Sequence, residues 1–117
     1  MKRVEVPSYP VSIFIAGKAS DIEDMCRTYC DEVGFCVTCT PTSYVYTGGE
    51  ETGYIIGLIN YPRFPMTPEQ IWDHAAALAE RLRNEASQDS YTIQAPDKTV
   101  LVSYRDAPPP KMKVGDE

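Results

Sequence analysis

The fold is decided by residues 35–61, FCVTCTPTSYVYTGGEETGYIIGLINY. Val, Ile, Tyr and Thr dominate both halves of this stretch, and these residue types suit a pleated, half-buried surface. The glycine pair Gly48-Gly49 between the halves supplies the positive φ that a tight reversal requires. Pro41 lacks an N–H and marks a bulge or a strand edge without a partner on that side. The stretch predicts a long β-hairpin.

The residues before the hairpin predict a strand followed by a helix. Residues 11–16, VSIFIA, form a short apolar run that is typical of a central strand buried on both faces. Ser20 and Glu23 have the spacing of a capping box, which predicts a helix start at Ser20. Apolar residues recur at helical spacing up to Val33, and Gly34 supplies the stop signal.

The residues after the hairpin predict a second helix and further strand. Thr67, Pro68 and Gln70 combine an N-cap, a first-turn proline and a closing glutamine. Residues 91–95 and 99–104 are strand-like and are separated by a turn at residues 96–98. The pattern leaves open whether they form one bent strand or two.

The order strand, helix, strand, strand, helix, strand predicts an α+β fold of the ferredoxin-like βαββαβ type, an antiparallel sheet with two helices on one face. The length of 117 residues suits one domain. We expect an extended lead-in at residues 1–10, a single domain at residues 11–105 and a disordered, proline-containing tail at residues 106–117.

Composition excludes several classes of partner. The formal net charge of −6 disfavours nucleic-acid binding, which needs clustered Lys and Arg, and disfavours attraction to anionic membranes. The N-terminus lacks the apolar core of a signal peptide, and no apolar run is long enough for a membrane span. These features lead us to expect a soluble cytoplasmic protein.

The predicted sheet has one face that the helices leave open. We expect this face to carry aromatic and acidic residues of the hairpin and to bind another copy of the chain. The expected interface residues are Tyr44, Tyr46, Glu50, Glu51 and Tyr54.

The order and spacing of residues 11–104 resemble the CutA group and its trimeric ferredoxin-like relatives. The resemblance lies in the short first strand, the helix that ends at Gly34 and the long hairpin. It implies a trimer or another closed oligomer, and no residue here matches a metal-ligand motif of that group. The chain also resembles small uncharacterised proteins of bacteriophages and mobile elements.

RNA-recognition domains share the predicted topology, but their third strand carries a basic residue and several aromatics. Here that strand reads TGYIIGLI, residues 52–59, in which only Gly53-Tyr54 fits. Together with the acidic charge, this disfavours RNA binding.

Four cysteines and one histidine are the remaining candidates for chemistry. Cys26, Cys30, Cys36 and Cys39 fall within fourteen residues, which invites a metal interpretation. Strand alternation is expected to send the last two to opposite faces, so we predict packing of free, reduced thiols and no metal site. His74 lies off the apolar stripe of its helix and is expected to be solvated.

The best candidate for ligand binding is the rigid connection Asn60–Pro65, NYPRFP. It offers Arg63 for a phosphate or carboxylate, Tyr61 and Phe64 for stacking, and Asn60 for directional hydrogen bonds. The N-terminus of the second helix follows, and its free N–H groups favour anions. The alternative is a structural connection whose aromatics seal the edge of the core.

No catalytic motif or acid–base pair is recognisable, so we expect a non-catalytic, homo-oligomeric module that binds a small anionic or nucleotide-like ligand without a cofactor. A phage-encoded sequestering protein is one form of this hypothesis. The alternative is a phage-type interaction protein whose acidic, aromatic sheet surface inhibits a host protein. A small enzyme is the least favoured hypothesis.

Overall fold

The computed structural model describes residues 1–105, and the predicted tail at residues 106–117 lies outside that range. Residues 1–10 contain no helix or strand. The elements are β1 (Val11–Ala16), α1 (Ala19–Val33), β2 (Thr38–Tyr46), β3 (Gly49–Leu58), α2 (Pro68–Glu85), β4 (Ser90–Gln94) and β5 (Thr99–Ser103). This is the predicted α+β fold, and the last strand-like region is resolved as two strands.

The strands form one antiparallel sheet in the order β2-β3-β1-β4-β5. The first four strands have the spatial order of the predicted ferredoxin-like arrangement, and β5 extends the sheet beyond β4. β2 is an edge strand, so Pro41 has a free side on which no N–H is needed. Gly48, at φ 85°, makes the reversal between β2 and β3.

The core lies between the sheet and the two helices. In the sheet register Ile13 of β1 faces Ile56 of β3 on one side and Ile93 of β4 on the other. All three side chains are almost fully buried. Because side chains alternate along a strand, this register places the inward positions of neighbouring strands on the same face. Ile22 of α1 and Leu78 of α2 cover that face and are fully buried.

Sequence signals predicted three helix ends, and the structure agrees with two of them. Thr67 caps α2 with the full capping box, in which Thr67 accepts from the Gln70 N–H and Gln70 accepts from the Thr67 N–H. Gly34 ends α1 in the left-handed conformation, at φ 68°. The predicted capping box of Ser20 is wrong, since the N-cap is Lys18 and makes no side-chain cap.

The aromatic residues of the hairpin do not all lie where the sequence analysis placed them. Tyr54, expected on the open face, is only 6% exposed and lies on the helix-covered face. Its hydroxyl donates to Glu23 Oε2 at 2.5 Å, so Glu23 serves this contact and not a helix cap. Strand alternation places Tyr54 on the same face as Ile56 and Leu58, and the prediction failed because it assigned this face to the open side of the sheet.

A tyrosine on the open face joins three strands. The Tyr44 hydroxyl donates to the Tyr54 carbonyl at 2.6 Å and accepts from the Ile15 N–H at 3.1 Å. The ring of Tyr44 passes over Gly53, where an added Cβ would lie 2.7 Å from Tyr44 Cε2. The same Cβ would collide with the backbone of β1. Gly53 is therefore required by close approach between strands.

We predict that Gly53→Ala destabilises the protein by about 2–3 kcal/mol, because the methyl group meets backbone that cannot move away. Urea denaturation followed by circular dichroism measures the change. Thr52→Ala, at the exposed position that precedes Gly53 in β3, is the matched control. Its free energy of unfolding is expected to stay within about 0.5 kcal/mol of that of the parent. Equal effects of the two substitutions would contradict the steric argument.

A carboxylate ties α2 to the outer strands. Glu80 accepts from the hydroxyls of Tyr91 at 2.6 Å and Tyr104 at 2.9 Å, and it pairs with Arg83 at 3.3 Å. Burial alone would raise the pKa of Glu80, but these hydrogen bonds and the Arg83 charge leave the pKa below its usual value. The carboxylate form is therefore favoured in the folded state.

We predict that Glu80 makes stability depend on acid pH. A carboxyl whose folded pKa is depressed stabilises above its unfolded pKa, and this stabilisation is lost as the pH falls through the folded pKa. Glu80→Gln is expected to cost about 1 kcal/mol at pH 7, since the group is partly exposed, and the difference should shrink as the pH falls through the folded pKa of Glu80. Denaturation midpoints measured from pH 7 to pH 3 test this, with Glu85→Gln, on the exposed side of α2, as the control.

Candidate functional site

The connection between β3 and α2, which the sequence analysis selected for ligand binding, is held together by Asn60. The Asn60 side chain is 8% exposed. Its Nδ2 donates to the Pro7 carbonyl at 2.8 Å, and its Oδ1 accepts from the Met66 N–H at 2.8 Å. The amide thus joins the lead-in to the connection, and both of its ends already have partners within the chain.

The aromatic residues near this connection form a chain of contacts. Tyr61 and Phe64 have ring centroids 5.4 Å apart, and Phe64 meets Phe35 edge-on at 6.4 Å. Phe35 in turn stacks on His74 at 4.6 Å, and His74 Nδ1 lies 2.7 Å from the Tyr29 hydroxyl. His74 is half-buried and not fully solvated as predicted, because its ring stacks on Phe35 and its Nδ1 contacts the Tyr29 hydroxyl.

Arg63 and Tyr61 line a cleft of about 630 Å³ together with Lys2, Val4 and Pro62. A hydrogen bond with the Cys36 thiol and, as a smaller cause, burial of the phenol raise the pKa of Tyr61 to about 12. Tyr61 is therefore a neutral phenol at pH 7. Arg63 and Lys2 give this cleft a basic character, which suits a carboxylate or phosphate.

A second depression is lined by residues of the lead-in, the connection and the start of α2. It comprises a cleft of about 420 Å³ and a neighbouring one of about 330 Å³, which share Tyr9 and Pro68. We call this continuous depression the α2 groove. Its lining residues are Pro7, Ser8, Tyr9, Asn60, Pro65, Met66, Thr67, Pro68, Glu69, Gln70, Trp72, Asp73, Asp97 and Lys98.

One end of the α2 groove is both acidic and aromatic. Lys98 Nζ lies 4.1 Å from the centroid of the Trp72 ring, a cation–π contact. The Tyr9 hydroxyl donates to Asp97 Oδ1 at 2.8 Å. Glu69 and Asp73 line the same end. An indole face surrounded by three carboxylates attracts organic cations, and here a lysine of the chain occupies it.

Sequence reasoning missed this end of the groove. Trp72 lies in the apolar stripe of α2, a pattern typical of core residues, although its side chain is only half-buried. Tyr9 lies in the lead-in and Asp97 lies in the turn between β4 and β5. No local motif connects these segments, since only the fold brings them together.

The residues expected to form a subunit interface lie away from the groove. Tyr46, 53% exposed, and Glu50 and Glu51, both exposed, are on the hairpin near its turn. Asn60 follows the opposite end of β3. Tyr44 is half-buried and bonded to backbone, as described above.

The four cysteines also depart from the predicted arrangement. Cys36 precedes β2, so strand alternation does not govern its direction. All four thiols are free and line one cleft, although only Cys26 is buried. Within residues 1–105 no group of three or more His, Cys, Asp and Glu side chains is arranged to hold a metal ion. Neither helix of that range is long and apolar enough to cross a membrane.

We predict that Asn60→Ala loosens the groove. The substitution leaves the Met66 N–H and the Pro7 carbonyl without their partner, which costs about 1–3 kcal/mol for each group that stays buried. Urea denaturation measures the loss, and tryptic cleavage at Lys2 and Arg3 should become faster as the lead-in detaches. Asn84→Ala, at an exposed position of α2, is the control and is expected to change neither quantity.

Comparison with known proteins finds structural similarity but no sequence match. No protein-family model matches the chain, and no curated protein matches it significantly. The structure of a phage SAM lyase in the apo state is similar over 92% of this chain and 98% of its own, with 18% identity and a TM-score of 0.71. A phage SAM lyase in complex with S-methyl-5'-thioadenosine matches over the same shares, with 16% identity and a TM-score of 0.61.

These likenesses show a shared fold, and they correct the functional expectation. Both matched structures are lyases, which contradicts the expectation of a non-catalytic module and the preference against an enzyme. The alternative of a host-protein inhibitor that acts through the sheet surface is contradicted by the same matches. Both are phage proteins, in agreement with the resemblance to phage proteins, and neither is a CutA protein. One of them holds a small nucleoside-type molecule.

Proposed function

We propose that this protein is an enzyme that cleaves S-adenosylmethionine (SAM) and releases S-methyl-5'-thioadenosine. The observation that carries the proposal is the likeness to phage SAM lyases along nearly the whole of both chains. The α2 groove adds independent support, because SAM carries a sulfonium cation and the groove has an acidic, aromatic end.

The chemistry of a sulfonium explains why no acid–base motif is needed. When the bond between sulfur and the amino-acid side chain breaks, its electron pair goes to sulfur. The leaving group is then a neutral thioether, which requires no proton. A lyase adds no water, so the carboxylate of the four-carbon fragment attacks the carbon that sulfur leaves, and a C–O bond closes a lactone ring as the C–S bond breaks. The lack of a catalytic signature is therefore compatible with this reaction.

The groove contributes binding and orientation in this proposal. Trp72 faces the sulfonium, and Glu69, Asp73 and Asp97 supply negative potential at the same end. Lys98 must leave the indole face when the substrate cation arrives. Because the sulfur loses its charge during the reaction, the carboxylates favour the bound substrate more than the transition state. The rate enhancement must therefore come from holding the fragment in a reactive conformation.

The residues that the sequence analysis selected for ligand binding belong to the connection that precedes α2. Arg63, in the neighbouring cleft, suits the carboxylate of the amino-acid end, and the rings of Tyr61 and Phe64 pack beside it. Asn60 positions the connection that carries them. We retain, as part of the proposal, assembly into a closed oligomer through the hairpin residues Tyr46, Glu50 and Glu51 and the neighbouring open face.

The test is a direct assay of the purified protein with SAM, in which liquid chromatography and mass spectrometry quantify S-methyl-5'-thioadenosine. We expect product well above the spontaneous background. Trp72→Ala is expected to lower kcat/KM by at least about tenfold through loss of the cation–π contact and of packing. Folding of each variant is checked by circular dichroism.

A charge-matched pair separates the groove from general electrostatics. Glu69→Gln removes a carboxylate from the groove and is expected to raise KM by roughly threefold to tenfold. Glu85→Gln makes the same change at the other end of α2 and should leave kcat and KM unaltered. A folded protein that yields no product from SAM would refute the proposed reaction, and equal effects of the two variants would refute the assignment of the site.

A further inference from the structure

The cation that occupies the acidic, aromatic end of the α2 groove belongs to the chain itself. Lys98 Nζ lies 4.1 Å from the centroid of the Trp72 ring, a distance at which the ring face attracts an ammonium group. The carboxylates of Glu69, Asp73 and Asp97 line the same cleft. In the part of the chain that the structure describes, Lys98 nevertheless forms no ion pair with a carboxylate. The indole ring is therefore the partner that holds this ammonium group.

Two further cation–π contacts among the described residues are of a different kind. Their cations are Arg81, over the Tyr29 ring, and Arg83, over the Tyr104 ring. Each of these arginines also pairs with a glutamate, so two partners hold its guanidinium group. Lys98 is exposed and has no second partner of this kind within the described chain. Its ammonium group can therefore leave the ring without breaking an ion pair.

The backbone fixes both members of the contact. Trp72 lies in α2 directly after Ile71, which is fully buried, so the indole keeps its place beside the core. Lys98 follows the loop Pro96-Asp97, which joins β4 to β5. The Lys98 carbonyl accepts from the Ala95 N–H at 2.8 Å, and this hydrogen bond closes the loop. The ammonium group is thus tethered near the ring, which gives it a high effective concentration there.

We propose that Lys98 is a tethered competitor for the indole face of Trp72 and thereby sets the affinity of the α2 groove for sulfonium and quaternary ammonium cations. In the empty protein the Lys98 ammonium group takes the position of the ligand cation. A ligand must displace this group and then lies close to a like charge, so Lys98 weakens binding at the ring. The groove carboxylates are the next partners of the displaced ammonium group. This inference deepens the proposed function, on which its kinetic test alone rests.

Intrinsic fluorescence tests the competition directly. Trp72 is the only tryptophan of the chain, so its emission reports on this one ring. The purified full-length protein is titrated with trimethylsulfonium chloride, and a parallel titration with sodium chloride corrects for ionic strength. We expect a saturable change in emission with the sulfonium salt. We expect no saturable change with tert-butanol, a neutral molecule of similar size.

Removal of the tethered cation should tighten this binding. A cation–π contact at an exposed site shifts an equilibrium by about twofold to fivefold, so a competitor of that strength weakens a ligand by about threefold to sixfold. Lys98→Gln is therefore expected to lower the Kd for trimethylsulfonium by at least about threefold. Lys98→Arg keeps a cation at the ring and is expected to bind trimethylsulfonium no more tightly than the parent protein does.

A matched control separates the tether from the net charge of the protein. Lys18→Gln makes the same change of charge at another exposed position. Ser12, near the start of β1, pairs with Gln94, whereas Lys18 follows the opposite end of β1, away from the loop that carries Lys98. Lys18→Gln is therefore expected to leave the Kd for trimethylsulfonium unchanged. Circular dichroism checks that each variant is folded.

The kinetic test uses SAM as the substrate. Displacement of Lys98 weakens the bound substrate and the transition state alike, so Lys98→Gln should lower KM about threefold and leave kcat nearly unaltered. The binding titration needs no cleavage of SAM. A protein that does not cleave SAM, but binds trimethylsulfonium more tightly after Lys98→Gln, would support this inference and refute the proposed reaction.

Three results would overturn the inference. The first is the absence of a saturable response to trimethylsulfonium in both the parent and the Lys98→Gln protein. The second is a folded Lys98→Gln protein whose Kd is equal to or higher than that of the parent. The third is an equal tightening by Lys18→Gln, which would assign the effect to net charge. Each of these results can arise whether or not the protein cleaves SAM.

Discussion

The register of β3 between β1 and β2 is the constraint on which the rest of this structure depends. Gly53 lets the three strands approach, and the Tyr44 hydroxyl bridges the Ile15 N–H and the Tyr54 carbonyl across that point. A slip of one residue would exchange the faces of β3 and expose its buried side chains. The same register sends Tyr54 to Glu23 beneath α1 and Cys39 to the cysteines of that helix. The core, the open face of the sheet and the cleft lined by the cysteines follow from this register.

A fold of this kind supports many functions, so the activity depends on the site and its chemistry. Paired acids, bases and nucleophiles are typical of enzymes that cleave a bond with proton transfer. Their absence from a sequence does not disfavour an enzyme whose reaction needs no proton transfer. The sulfur of a sulfonium leaves as a neutral thioether and needs no proton from the enzyme. An enzyme acting on it needs a shaped, suitably charged surface, and such a surface has no short sequence signature. This is why the matched lyases correct an inference that was sound for hydrolytic chemistry.

The α2 groove shows how a binding surface arises from segments that are individually unremarkable. The lead-in contributes Tyr9, α2 contributes Trp72 and the turn before β5 contributes Asp97 and Lys98. Asn60 connects the lead-in to the residue before the cap of α2, so the stability of the groove and the order of the N-terminal residues are linked. The lysine on Trp72 indicates that the indole face already suits a cation before any substrate is bound.

The sequence alone determined the element order, the long hairpin, the cap of α2 and the stop of α1 at Gly34. These features depend on residues close together in the chain, namely a capping box, a glycine turn and periodic apolar side chains. Only the tertiary structure decided that Tyr54 is buried, that His74 stacks on Phe35 and that Cys36 joins the other thiols. The tertiary structure also formed the α2 groove, because register and long-range packing bring together residues that are far apart along the chain and show no sequence signal of contact.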